Sequence, residues 1–234
     1  MSLLHTFLVA AAVAQATTPE APAHRVSEEI RLDGVLDEPV WASVPTIGRL
    51  LQQEPTPESE PSFETEVRVL FDRDYLYFGI LCRDDDPSAI VANQLSRDSR
   101  LESDDNIAIV IDPFLDRRNG FFFETNPVGA RSDGQVSNNA ERRTPEWDGI
   151  WNAAARVTDE GWVAEIAIPF KTLRFRPGQT TWGLNVERVV VRLNETNRWA
   201  SPRREVWLTN FAMAGRLTGL EEIRQRRGPV SYTH

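Results

Sequence analysis

The sequence predicts an all-β fold, an antiparallel β-sandwich of jelly-roll type with roughly ten strands. Three observations predict it. Apolar and polar residues alternate with period two in several stretches, as half-buried strands require. Turn pairs such as Asp33-Gly34, Asp133-Gly134 and Glu160-Gly161 punctuate the chain between those stretches. No apolar pattern keeps a helical period for long.

The elements follow in chain order. Residues 1–16 read as an export signal: the apolar stretch Leu3–Ala14 is shorter than the ~20 residues a bilayer needs, and Ala12-Val13-Ala14 offers an A-x-A-like cleavage site. Residues 17–27, rich in Pro and Ala, read as a linker, and the folded domain is placed at 28–223. Short helical turns are expected at Asp37–Ala42 and Pro169–Leu173, with a loop at Glu54–Pro61. Val67, Val69 and Phe71 share one strand face, with Glu66 and Arg68 opposite. Trp162, Ala164, Ile166 and Ile168 share another, with Glu165 opposite. Trp182, Leu184 and Val186 alternate with Asn185 and Glu187. Leu76–Cys82 and Ile107–Ile111 are continuous apolar runs, expected as central strands covered on both faces. The predicted core is Val69, Phe78, Ile80, Ile109, Ile111, Trp162, Ile166, Ile168, Leu184 and Val186. Residues 224–234 open on a basic stretch and read as a linker or the start of a further domain.

Composition removes several function classes. At 41% hydrophobic and 26% charged, the 234 residues are neither a disordered tail nor a membrane bundle. A net charge of −9 leaves no electrostatic footprint for nucleic acid. His5, His24 and His234 all lie toward the ends, so no core histidine is expected for a Ser–His–Asp triad or a zinc site. Haem ligation fails on the same ground, because only Met213 falls inside the domain. Cys82 is the lone cysteine, sits in an apolar run and reads as a small buried hydrophobe.

A family resemblance rests on an ordered set of motifs. Ile30 to Trp41 reads I-x-L-D-G-x-L-D-E-x-x-W. Val67–Asp72, Tyr75–Phe78, Ser103–Ile107 with Ile111-Asp112-Pro113, and Gly161–Phe170 follow it. Together they resemble carbohydrate-binding modules of family 9 across residues 28–223. Phe123–Ala130 and Trp147–Trp151 are similar to a bacterial subfamily in which the module precedes a β-rich, outer-membrane-barrel-like domain. The resemblance implies a sandwich that binds the ends of sugar chains, does no chemistry itself, and travels with glycoside hydrolases in the periplasm, at the outer membrane or outside the cell. It also implies that structural calcium can be held, though no cofactor is required. In sugar-binding members two Trp clamp the ring, and Trp199 can take the place of one. Where the other clamp Trp, a Glu and an Arg are expected, this chain has Leu101-Glu102, Ala108 and Glu124.

The resulting expectation is an exported, non-catalytic carbohydrate-binding domain with a glycan as partner and a further β-rich domain beyond the C-terminus. Two alternatives stand beside it: a structural domain on a barrel that has lost sugar binding, and a glycoside hydrolase. Trp199, Trp147 and Trp151, lying among polar residues, are the candidate sugar platforms, since sugar C–H faces stack on indoles. Loop anchoring is the other role open to them. Glu124, Asn126 and Arg131, with Asp133, are the candidate hydroxyl ligands; Asn126 and Asp133 could equally stabilise turns. Trp41, Trp162 and Trp182 are expected in the core, while Trp207 could face either way. Asp84-Asp85-Asp86 and Asp104-Asp105 are either calcium ligands or exposed turns.

Overall fold

The computed structural model describes residues 18–139, 144 and 146–223, so the export signal at 1–16 and the segment 224–234 lie outside the described residues. Thirteen strands are present among them: β1 (Glu20–Pro22), β2 (His24–Arg25), β3 (Leu51–Glu54), β4 (Thr65–Phe71), β5 (Tyr75–Arg83), β6 (Asn106–Asp112), β7 (Gly120–Thr125), β8 (Arg131–Val136), β9 (Asn152–Thr158), β10 (Gly161–Pro169), β11 (Trp182–Val190), β12 (Glu195–Arg198) and β13 (Gly215–Thr218). A single helical turn, α1 (Pro39–Ser43), starts on a proline, whose fixed φ suits a first helical position. The second expected helical turn is only a hydrogen-bonded turn, Thr172 N to Pro169 O at 2.9 Å.

The strands form two facing sheets. The larger has the order β1-β13-β11-β6-β7-β8, with β12 on the far part of β11 and β3 on β12; the smaller has the order β2-β4-β5-β10-β9. The all-β sandwich is as expected, but the sheets are mixed, because β1 runs parallel to β13 and β2 parallel to β4. The cause lies in the segment read as a linker. Residues 20–25 add one short strand to an edge of each sheet, crossing between them at Ala23. Ala21 is fully buried there, so its small side chain is what the edge admits. His24 is consequently half-buried in β2 rather than free at a terminus.

All ten predicted core residues are fully buried between the sheets, joined by Cys82 and by Trp182 packed edge-on to Phe170. Each such side chain contributes ~1.5–3 kcal/mol by leaving water.

The outer face of the smaller sheet is not solvated. Residues 26–47 cross it as a strap, burying Val26, Ile30 and Trp41 against Leu70, Tyr77 and Ala167. Trp41 can lie flat on β5 only because residue 79 is glycine: a Cβ there would come within 2.7 Å of its ring. The strap also covers Glu165, which alternation alone would leave facing water. Its side chain is fully buried, and Oε2 accepts the N–H groups of Asp33 at 2.9 Å and Gly34 at 2.8 Å. Oε1 has no hydrogen-bond partner. Burial, reinforced by the charges of Glu38 and Asp33, pushes this carboxyl from 4.5 up to about 7.

A raised carboxyl pKa favours the fold while the group is protonated. The contribution is whole below pH 4.5, is lost as pH rises toward about 7, and is absent above that. At about 1.4 kcal/mol per unit, the loss across that window approaches ~3 kcal/mol. Glu165→Gln keeps the oxygen acceptor and removes the titration. Its urea-unfolding free energy should decline less than that of the wild type across this window, and exceed the wild type at alkaline pH. Parallel profiles for the two proteins would show that Glu165 ionises as an ordinary carboxyl.

Candidate functional site

The structure gathers Trp147, Trp151, Arg131 and Asp133 into one cluster, at the edge where β8 and β9 bring the two sheets together. Trp151 is buried, sets its ring edge-on to Phe123 with centroids 5.2 Å apart, and donates Nε1–H to Asp133 Oδ2 at 2.6 Å. Trp147 is half-buried against Phe121 at 4.9 Å and Phe123 at 5.9 Å. Arg131 stacks over the Trp151 ring at 5.6 Å and donates to the Trp151 carbonyl and to Asn152 Oδ1. Asp133 Oδ2 further accepts from Arg97 at 3.1 Å and Gly149 N at 3.2 Å. Burial raises this carboxyl above the usual range, while Trp151 and Arg97 pull it back. These groups are spent on one another, so the cluster anchors the 146–151 loop and closes the sandwich edge.

Asn126 is likewise saturated. Its Nδ2 donates to Gln94 O and Asp104 Oδ2, and its Oδ1 accepts from Ala130 N and Val128 N across the β7–β8 turn. Of its two readings, turn stabilisation is the one its contacts support. Trp199 lies apart from the cluster and is a core residue, 6% exposed. Its Nε1 donates to Ile47 O at 2.9 Å, and its ring fills the space above Gly215, where a Cβ would sit 2.4 Å away. The exposed polar loop expected around it is instead strand β12, whose polar residues Asn197 and Arg198 are themselves buried and paired.

The outer face of the larger sheet carries Ala108 and Glu124, two of the positions at which the family resemblance would put sugar contacts. One row across it runs Arg198, Glu187, Ala108, Glu124, Ser132. The loop after β12 folds back over this face and lays Leu208 and Phe211 on Ala108, Val110, Phe122 and Val136. Leu101, Ala108, Glu124 and Trp199 are all buried. The covering loop is held by its backbone: Val206 O accepts from Gln53 Nε2 at 3.0 Å and from Arg198 Nη1, while Arg198 also pairs with Glu187.

One indole stands clear of all this. Trp207 is 54% exposed, the only exposed aromatic residue among those described. Its neighbours Val206 and Leu208 are 6% exposed, so the backbone beneath it is pinned while the ring faces water. Three and four residues before it in the chain, Arg204 pairs with Glu54 at 2.9 Å and Arg203 lies 3.8 Å from Glu58. The sequence left Trp207 open to either side, because Val206-Trp207-Leu208 is apolar throughout and lies outside any strand, so no period fixes which residue faces out. A ring of this kind can stack on the C–H face of a sugar while charged rim groups meet its hydroxyls. A separate open depression of about 400 Å³ lies over the smaller sheet, lined by Leu36, Leu81, Thr158, Asp159, Glu160 and Val163, with no indole.

Among the described residues no three His, Cys, Asp or Glu side chains converge to hold an ion. Asp84 is engaged by Arg192, and Asp104 Oδ2 by Asn93 N, Gln94 N and Asn126 Nδ2.

A family model described as carbohydrate family 9 binding domain-like matches residues 32–208. No curated protein matches the chain significantly. Among solved structures, two are family 9 carbohydrate-binding modules from Caldicellulosiruptor kristjanssonii. The one in complex with glucose has 14% identity and a TM-score of 0.59, over 89% of this chain and 97% of that one. The one in complex with cellotriose has 13% identity and a TM-score of 0.57, over 92% and 98%. A protein of Bacteroides uniformis assigned as carbohydrate-binding aligns at 14% identity and a TM-score of 0.63, over 86% and 99%. At such identities the likeness establishes the fold alone.

The burial of Trp199 has a measurable consequence. Trp199→Ala should destabilise the domain by ~3–5 kcal/mol, as for other buried aromatic truncations. Denaturant unfolding followed by circular dichroism would check this, and a change near zero would return Trp199 to the surface.

Proposed function

The chain belongs to the carbohydrate family 9 binding domain-like family, and on that premise we propose that it is a non-catalytic carbohydrate-binding domain that meets its glycan at the Trp207 loop. The observation that carries this is the single exposed indole on a pinned backbone. The face beneath the loop is covered, because Leu208 and Phe211 fill it. Two structural neighbours are complexes with glucose and with cellotriose, which makes β-glucan ends the first ligands to try. The proposal extends to the wider setting read from sequence: an exported module within a larger protein, acting in polysaccharide breakdown beside a β-rich domain.

A second reading is favoured by a specific observation. All four positions inherited from the sugar site are buried, as expected of a domain that keeps the fold for packing and has lost sugar binding.

Calorimetric titration with glucose and cellotriose, after a glycan-array screen, separates the two. On the lead reading Trp207→Ala weakens binding roughly ten- to a hundredfold, the effect of losing ~1–3 kcal/mol of ring burial. Its melting temperature should stay close to that of the wild type, because the ring makes no core contact. Glycan affinity unaffected by the substitution would overturn the assignment of Trp207, and an array without hits would favour the packing reading.

A further inference from the structure

The acids at the end of β5 close on a cation supplied by the chain itself. Asp84 has a fully buried side chain. Arg192, in the 3-10 turn after β11, donates Nη1–H to its Oδ2 and Nη2–H to its Oδ1, both at 2.6 Å. This is the two-pronged geometry in which a planar guanidinium matches a carboxylate best. The guanidinium carbon also lies over the Phe63 ring, 5.0 Å from its centre. Asp86 and Asp105 stand close enough to act on Arg192 by charge, and with Asp84 they hold its pKa up. Asp105, at the start of β6, is buried, accepts Val191 N–H at 2.7 Å through Oδ1, and has no hydrogen-bond partner on Oδ2. One buried carboxylate and an aromatic ring therefore hold the cationic group, and the charges of Asp105 and Asp86 add to them. The acids come from the end of the smaller sheet and the start of a central strand of the larger; the cation comes from the larger sheet's other central strand.

We propose that the Arg192 guanidinium, paired with Asp84 in the acid run that the sequence marked as a calcium candidate, locks the two sheets together without calcium. That run is thus a seat for an arginine. Burial alone would raise the Asp84 carboxyl; hydrogen bonds from Arg192 and from Asp86 N outweigh it and hold the group below its usual range. A buried pair of this kind is strongly harmful to break from one side, because the abandoned charge stays buried, and much less harmful to remove from both.

Thermal melts of the full chain give the first test: the melting temperature should be the same in millimolar calcium as in excess chelator. A calcium-dependent rise would overturn the proposal outright, and this measurement needs no variant. The second test is a double-mutant cycle. Arg192→Met should lower the melting temperature by several degrees, and adding Asp84→Asn to it should recover part of that loss. If Asp84→Asn harms the Arg192→Met protein as much as it harms the wild type, the two residues are not coupled and the lock does not exist.

Discussion

The constraint on which this structure depends is that its central strands are apolar on both faces. Every residue of β6 is buried, and so is the middle of β5. Two facing sheets cover only one face of each strand. The other faces need a further layer, and the chain supplies both layers from its own loops: the 26–47 strap over the smaller sheet and the loop after β12 over the larger. Leaving Val110, Phe122 and Val136 open to water would forgo ~1.5–3 kcal/mol for each fully buried side chain. That is why Leu208 and Phe211 settle on the larger sheet. An open sugar groove and an apolar β6 are incompatible on the same face, and Ala108 in place of a polar residue belongs to the same adaptation.

Double burial also traps polar groups, and Asn185, Arg188 and Glu165 show how they find partners. Asn185, facing outward from β11, receives Val186 N and Ala200 N on its oxygen and donates to Ala200 O. Arg188 is wholly buried and donates to the carbonyls of Glu64 and Arg83 and to the Thr65 hydroxyl. Glu165 receives the turn at Asp33-Gly34. The motif running from Ile30 to Trp41 then has a physical reading. Asp33-Gly34 presents two backbone donors to a buried carboxyl, Glu38 accepts Arg31 N at 2.9 Å to shape the turn, and Leu36 and Trp41 lay the apolar face of the strap on the sheet. It is a docking motif for a covering segment, and none of its residues takes part in the proposed glycan contact.

Much of this was legible in the sequence. Alternation identified β4, β10 and β11 and named their inward faces correctly, and the two continuous runs announced strands covered on both sides. Alternation could not say what covers an outward face, so Glu165 and Asn185 read as solvent-facing although both are buried. That Trp199 and Trp151 are buried was hidden from the sequence for a related reason. Local polarity marks loops only when polar side chains meet water. Around Trp199 they meet one another across strands, as Arg198 meets Glu187; beside Trp151, Asp133 is a buried partner of the indole itself. Such pairings join residues remote in sequence and leave no local trace. Residues 20–25 escaped for the opposite reason: strands of two and three residues are too short to show a period.

A single exposed indole sets a limit on how the domain can work. One ring face contributes ~1–3 kcal/mol, whereas even a millimolar Kd requires about 4 kcal/mol. Hydrogen bonds from the rim can supply part of the difference, but Arg204 and Arg203 already face Glu54 and Glu58 and must exchange those partners to reach a sugar. A contact of this kind is weak for a free domain in solution. It becomes useful when a tether holds the domain near a polymer with many equivalent chain ends, because each rebinding is then effectively intramolecular and avidity can exceed the single-site affinity a hundredfold or more, on the order of 10² to 10⁴. On the proposed reading, the shallow site and the larger protein are therefore a single requirement. A domain whose inherited groove has been filled can still serve carbohydrate recognition provided that something else keeps it close to the surface it samples.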